Sequence, residues 1–338
     1  MKQAVMTSPG VIEFGDVPAP QAASGEVLLR IKRIGVCGSD VHVNKGLHPF
    51  TSYPVVQGHE FAGVVEAVGK GVENIVLGSK ATATPQIVCG TCGPCRRGDY
   101  NICDSLRVQG FQAPGCAQEL FATEAAKIVP LPDDFTFEQG ALVEPVSVAV
   151  HSSGRAGDID GRNVAVLGAG PIGNLVAQLC RSRGGNVLLT DVSDYRLDIA
   201  RQCKIKLTSN AAKESLAEAS QRVFGEEGFD VALECAGVQP ALDAVVESIQ
   251  KGGSIVAVAV YEHKPTVDMS VVGDRELKII GTLMYKYEDY TRAVELIASG
   301  EVTTEPLQSK HFAFEDYPSA YKFIDEQGDK SMKVFIDL

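Results

Sequence analysis

Cys37, His59 and Glu60 offer a thiolate, an imidazole and a carboxylate, the ligand types that a catalytic zinc ion takes while keeping one position open for water or substrate. The cysteine stands in Gly35-Val36-Cys37-Gly38-Ser39-Asp40-Val41-His42, and the other two in Gly58-His59-Glu60-Phe61-Ala62-Gly63. A His-Glu dipeptide by itself is usually a surface accident. It gains weight beside a Cys-containing turn and a second ligand set, Cys89, Cys92, Cys95 and Cys103, spaced C-x2-C-x2-C-x7-C. Gly90, Gly93, Pro94 and Gly98 supply the turns that let four thiolates converge on one ion at ~2.3 Å. A site with thiolates in all four positions is closed and has no Lewis acidity to offer, so the quartet reads as structural.

A third constellation is Gly168-Ala169-Gly170-Pro171-Ile172-Gly173, placed between a strand-like run and a helical one. In that context Gly168 allows a tight turn, Gly170 lets a pyrophosphate approach the backbone, and Gly173 lets helix and strand pack closely. The helix N-terminus faces the anion, and Pro171 suits a first turn that needs no amide donor. Asp191, at the end of the next strand, is placed to accept hydrogen bonds from ribose hydroxyls and to repel a 2′-phosphate, which favours NAD over NADP. Arg196 works in the opposite sense, since a nearby arginine can pair with a 2′-phosphate; Asp191 is expected to dominate.

The elements that must carry these residues fall into two textures. Up to about residue 130, short β-rich runs (Glu26–Ile34, Gly63–Val68, Lys80–Pro85, Gln118–Ala122) alternate with Gly/Pro turns and show no long helical period. Helical spacing over Glu138–Ser152 leads onward. From Asn163 strands alternate with helices: Asn163–Leu167, Pro171–Arg183, Asn186–Thr190, Ser193–Cys203, Asp230–Cys235, Pro240–Gln250, Gly253–Val260 and Leu277–Leu283. That alternation predicts an α/β fold with a parallel sheet and crossover helices. The remainder mixes helices (Asp289–Ser299, Tyr317–Glu326) with a strand near Met332–Ile336.

At 338 residues the chain is long enough for two domains. Its net charge of −12 and lack of a basic stripe exclude a nucleic-acid binder. No apolar run approaches a bilayer span, and no secretory signal precedes the first strand, so no membrane partner is expected. Nine cysteines without such a signal point to a reducing compartment, hence a cytoplasmic location.

The whole constellation resembles the zinc-dependent medium-chain alcohol and polyol dehydrogenases, over essentially the full length. The pattern GHExxGxxxxxGxxV is present as Gly58 through Val72, and Gly140-Ala141-Leu142-Val143-Glu144-Pro145 looks like the sorbitol dehydrogenase branch. The resemblance implies a GroES-like β-rich catalytic domain over 1–148, with a structural zinc lobe at about 86–105. It further implies a Rossmann-type NAD domain over 149–284 and a return to the catalytic domain over 285–338. It makes Cys37 and His59 catalytic zinc ligands, joined by Glu60 or Glu144, a choice that stays open, and places a second zinc in the quartet. Ser39 matches the hydroxyl that takes the alcohol proton, and His42 the relay histidine.

The implied substrate is a polyol, sugar or sugar acid. Met284 stands where that branch carries a polyol-binding arginine, and Leu47–Pro54 looks more like bacterial sugar-acid dehydrogenases. Lys45, Arg107 or Lys286 would then supply a cation for a substrate carboxylate. Cys116, in place of an aromatic residue near the cleft, is expected to be more than packing. L-Threonine dehydrogenase is a rival, ranked lower because it typically has Asp-Pro where this chain has Glu144-Pro145. A non-catalytic zinc and NAD sensor is another. The resemblance also implies a homodimer or homotetramer, with Leu277–Leu283 as a candidate pairing edge.

Overall fold

The computed structural model describes residues 1–338, which form two compact units. The first unit gathers Met1–Glu144, Lys286–Ala298 and Gln308–Leu338; the second comprises Pro145–Tyr285 and Ser299–Leu307.

The first unit is built on a seven-stranded sheet. Its path runs Gln308–Ala313, Lys333–Asp337, Glu26–Gly35, Glu60–Val68, Lys80–Ala83 and Ile128–Pro130, and Leu120–Glu124 pairs with Glu26–Gly35 off that path. The central strand Glu26–Gly35 sends Val27, Leu29, Ile31 and Ile34 into the core at no more than 1 % exposure. Register shifts between Leu28 and Leu29 and between Ile31 and Arg33 bend it, as bulges do, so that one strand serves several neighbours. The same core takes Phe61, Phe121, Tyr317 and Val334, which ties the late segments of the chain to the early ones. The helix Gly38–Asn44, at seven residues, is too short to show a helical period in sequence.

The second unit carries a six-stranded parallel sheet ordered Leu207–Asn210, Asn186–Asp191, Asn163–Leu167, Val231–Glu234, Ser254–Ala257, Lys278–Gly281. Numbered by appearance this is 3-2-1-4-5-6, the doubly wound dinucleotide-binding order, so the predicted α/β class with a Rossmann-type sheet stands. Its inner strands read as continuous apolar runs because they are covered on both faces; Val164, Ala165 and Val166 are fully buried. Three elements of this unit escape a sequence reading, the six-residue helix Met269–Asp274 among them. Leu207–Asn210 buries only Ser209, and Leu216–Phe224 is a nine-residue helix started by a Ser215/Glu218 capping box. No helix of the chain is long and apolar enough to cross a membrane.

Candidate active site

Antiparallel pairing sets Gly35 opposite Glu60, which brings the turn after one strand to the start of the next. There the donor atoms of Cys37, His59 and Glu60 lie within 4.8 Å of one another. Cys37 is the N-cap of the helix Gly38–Asn44, and its own amide donates to Asp40 Oδ2 at 3.0 Å. Ser39 and His42 follow on this helix three residues apart, hence on one face.

His59 and Glu60 are 5 % and 1 % exposed. Burial alone would push the His59 pKa down, but Asp40, the Cys37 thiol and Glu144 raise it to about 10. His59 Nδ1 is buried without a hydrogen bond and points at Asp40 Oδ1, 3.7 Å away, while the ring's hydrogen bond goes to Cys37. A metal-bound imidazole backed by a carboxylate is the usual way such a ring is oriented. An S, N, O donor set that converges in this way fits zinc.

Glu144 comes from the helix Phe137–Arg155 and is 5 % exposed. Its charge acts on His59 and Lys333, but it stands outside the set of donors within 4.8 Å. Glu60, inside that set, is gripped by Lys333, whose Nζ lies 2.5 Å from both carboxylate oxygens. Burial lowers the Lys333 pKa, and Glu60, Cys37 and Glu144 carry it above its ordinary value. Sequence reasoning missed this lysine, and also a buried chain behind the site. Tyr321 donates to Gln57 Oε1 at 2.7 Å, and Gln57 Nε2 donates to Asp40 Oδ1 at 3.4 Å. The available signals were polar residues inside apolar runs: Gln57 after Val55-Val56, and Lys333 beside Val334.

The quartet closes on itself. Cys92 Sγ lies 3.9 Å and Cys89 Sγ 3.6 Å from Cys103 Sγ. A tetrahedron with ~2.3 Å metal–sulfur bonds has edges of about 3.8 Å, whereas a disulfide would need about 2.05 Å. Backbone amides aim at the sulfurs: Cys92 N–H at Cys89, Cys89 N–H and Ser105 N–H at Cys103, all at 3.3–3.4 Å. Hydrogen bonds from Thr91 and Cys92 bring the Cys89 thiol down to about 6. The donor set and spacing fit a structural zinc ion.

In the second unit Gly168 (φ 93°) lies against the Ala236 backbone, and a side chain on Gly173 would strike the Gly168 carbonyl. Gly170 is the N-cap, and Pro171 and Ile172 open the helix Pro171–Ser182. Asp191 Oδ2 accepts from Ala169 N–H at 2.6 Å and Oδ1 from Ser193 N–H at 2.8 Å, which fixes the carboxylate at the strand end. Arg196 Nη1 stands 3.9 Å from Asp191 Oδ2.

Other expectations change. Cys116 is fully buried in the core of the first unit, packed under Gly58, and burial pushes its thiol well above the ordinary value. It is a packing residue. Lys45 is paired with Asp325 at 2.7 Å and Lys286 with Asp99 at 3.1 Å. Arg107 sits on the two-stranded ribbon Gln86–Ile87 and Arg107–Val108. Met284 has a left-handed backbone, φ 50°, beyond Thr282 and Leu283 at the end of the edge strand Lys278–Gly281.

Residues 23–133 match the alcohol dehydrogenase GroES-like domain and residues 171–299 the zinc-binding dehydrogenase domain. The chain is 36 % identical over 321 residues to 2-dehydro-3-deoxy-L-galactonate 5-dehydrogenase of Pseudoalteromonas atlantica, covering 94 % of this chain and 93 % of the relative. It is 31 % identical to L-threonine 3-dehydrogenase of Legionella pneumophila, covering 91 % and 92 %, and 32 % identical to sorbitol dehydrogenase 2 of Saccharomyces cerevisiae, covering 92 % and 90 %. Among solved structures, a short chain alcohol dehydrogenase of Escherichia coli CFT073 complexed with NADH superposes with a TM-score of 0.92 at 27 % identity, covering 100 % and 99 %. A zinc-binding dehydrogenase of Sinorhizobium meliloti 1021 bound to NADP gives 0.91 at 27 %, with the same coverage. The chain belongs to the zinc-binding alcohol dehydrogenase family. Within it, the residues just described set this chain's own version of the site.

Proposed function

We propose that this protein oxidises a secondary hydroxyl of a polyol, sugar or sugar acid to a ketone, reversibly, with NAD as hydride acceptor. The observation that carries this is the convergence of Cys37, His59 and Glu60 beside Ser39, in a chain whose second unit presents the Gly168–Gly173 loop and Asp191. The two relatives that act on a sugar-acid derivative and on sorbitol support the substrate class.

Zinc held by Cys37, His59 and Glu60 or Glu144 would supply Lewis acidity, drawing an alcohol's pKa toward neutrality. Asp40 orients the His59 ring, and Lys333 holds Glu60 in place and balances its charge. Ser39 takes the alcohol proton, and His42, on the same helix face, passes it on. Asp191 receives the ribose hydroxyls, while the Gly168–Gly173 loop and the helix start at Pro171 receive the pyrophosphate. We assign two zinc ions per chain, with the Cys89–Cys103 quartet holding the second, and NAD over NADP on the strength of Asp191. Lys278–Gly281 is the edge of its sheet, with Ile279 44 % exposed, which supports a homodimer or a dimer of dimers formed by edge pairing.

The test is NADH production by zinc-loaded protein with a panel of polyols, hexonates and L-threonine. Turnover of at least one polyol or hexonate is expected. Turnover of threonine alone replaces the substrate class, and no turnover at all ends the enzyme reading.

A further inference from the structure

Three rings stand in contact at the metal site. Phe111 packs on His59 with ring centroids 4.9 Å apart and stacks on His48 at 4.8 Å with an interplanar angle of 19°. Phe111 is 8 % exposed, so it fixes both imidazoles. His48 belongs to the loop after the helix that carries Ser39 and His42, and that loop is pinned. Leu47 N–H donates to the His42 carbonyl at 2.8 Å, and Gln112 Nε2 donates to the Phe50 carbonyl at 3.0 Å. Gln112 in turn accepts from Val108 N–H at 2.9 Å.

His48 Nδ1 is engaged by Thr51 Oγ1 at 2.8 Å. Nε2 has no partner in the protein. Nothing in the metal site requires this histidine, since Cys37, His59, Glu60 and Glu144 account for the ligands. An aromatic side chain alone would serve the stacking. The nitrogen facing away from Thr51 is the feature that stacking leaves unexplained.

We propose that His48 is a specificity-determining residue, whose Nε2 hydrogen-bonds a substrate hydroxyl next to the one being oxidised. The assignment rests on the proposed polyhydroxylated substrate. Such a chain carries hydroxyls on consecutive carbons, and Phe111 touches both His59 and His48, so a hydroxyl beside the one placed at Cys37 and His59 would come within reach of His48. A hydroxyl is also the right partner chemically. It both donates and accepts, so it suits Nε2 in either tautomer, whereas a carboxylate needs an N–H. Burial and the neighbouring His42 and His59 lower the His48 pKa, which disfavours the imidazolium that would pair with a carboxylate. Thr51 fixes the ring plane, as the partner of the other nitrogen does for any functional histidine.

The experiment compares wild type with His48→Phe, which keeps a ring on Phe111 and removes the nitrogen. The measured quantity is the ratio of kcat/KM for the best polyol or hexonate of the panel to kcat/KM for butan-2-ol. A drop in this ratio of about tenfold, carried mainly by KM, is expected, because a site built to bond a hydroxyl discriminates against losing that bond. His48→Gln, which restores a side-chain N–H, should recover part of the ratio, and Thr51→Val should lower it less than His48→Phe. An unchanged ratio in His48→Phe, or equal losses with both substrates, overturns the assignment while leaving the substrate class intact. If wild type turns over no polyol or hexonate, the substrate class itself fails and His48 loses its role with it.

Discussion

Lys333 Nζ lies 2.5 Å from each carboxylate oxygen of Glu60, and the two residues are 3 % and 1 % exposed. A lysine so placed competes with a metal ion for the same oxygens. It also neutralises a carboxylate that the fold has removed from water. Removing one member of such a pair leaves a buried charge and typically costs about 3–5 kcal/mol, whereas replacing both with apolar groups is often neutral. Lys333→Met should therefore destabilise the zinc-free protein by about that much in chemical denaturation. The double variant Lys333→Met/Glu60→Leu should recover most of the loss. A Lys333→Met protein as stable as wild type would show that the pair contributes nothing to stability.

The two cysteine sites should separate cleanly. Cys37→Ser is expected to abolish NADH production while leaving the melting temperature nearly unchanged. Cys95→Ser should lower the melting temperature and reduce bound zinc from about two per chain to about one, because a structural site contributes folding free energy directly. Zinc analysis by atomic emission alongside a thermal melt checks both.

On the proposed reading, Asp191 would set cofactor choice against Arg196, 3.9 Å away. Asp191→Ser removes the acceptor for the ribose hydroxyls and the charge that repels a 2′-phosphate. We expect kcat/KM for NAD to fall at least about tenfold, the scale of one lost charged hydrogen bond, while the value for NADP rises. Equal losses with the two cofactors would mean that Asp191 only braces the loop through Ala169 and Ser193.

Acid sensitivity has an identifiable contributor. Hydrogen bonds from Arg222 and Ser209 bring the Glu214 pKa down from 4.5 to about 2 in the folded chain. The unfolded chain therefore binds a proton first as pH falls. The stabilisation is complete above about pH 4.5 and is lost as pH drops toward 2. Glu214→Gln should melt lower than wild type at pH 7, and that gap should shrink through the same window. A gap independent of pH would place the effect in packing.

Legibility followed physics. Asn163–Leu167 shows in the sequence because a strand covered on both faces must be a continuous β-branched apolar run, and its bounds match. Edge strands such as Leu207–Asn210 and Gln308–Ala313 bury little and look like loops. The sequence displays Cys37, His59 and Glu60 as ligand types, but their convergence within 4.8 Å is a product of the Gly35–Glu60 register. Lys333 is 273 residues from Glu60, and no local pattern reports a partner at that range. Cys116 misled in the opposite direction: thiol chemistry suggested a role that complete burial removes.

The strand Lys333–Asp337 slots between Glu26–Gly35 and Gln308–Ala313. During synthesis the Glu26–Gly35 strand is made early, yet its partner on that side emerges only after the whole dinucleotide unit has left the ribosome. For that interval Arg33, Ile34 and Gly35 present an open strand edge, next to the turn that will hold Cys37. Until Lys333–Asp337 joins the sheet, that open edge is free to pair with another chain, the state in which a chaperone is most useful to this protein.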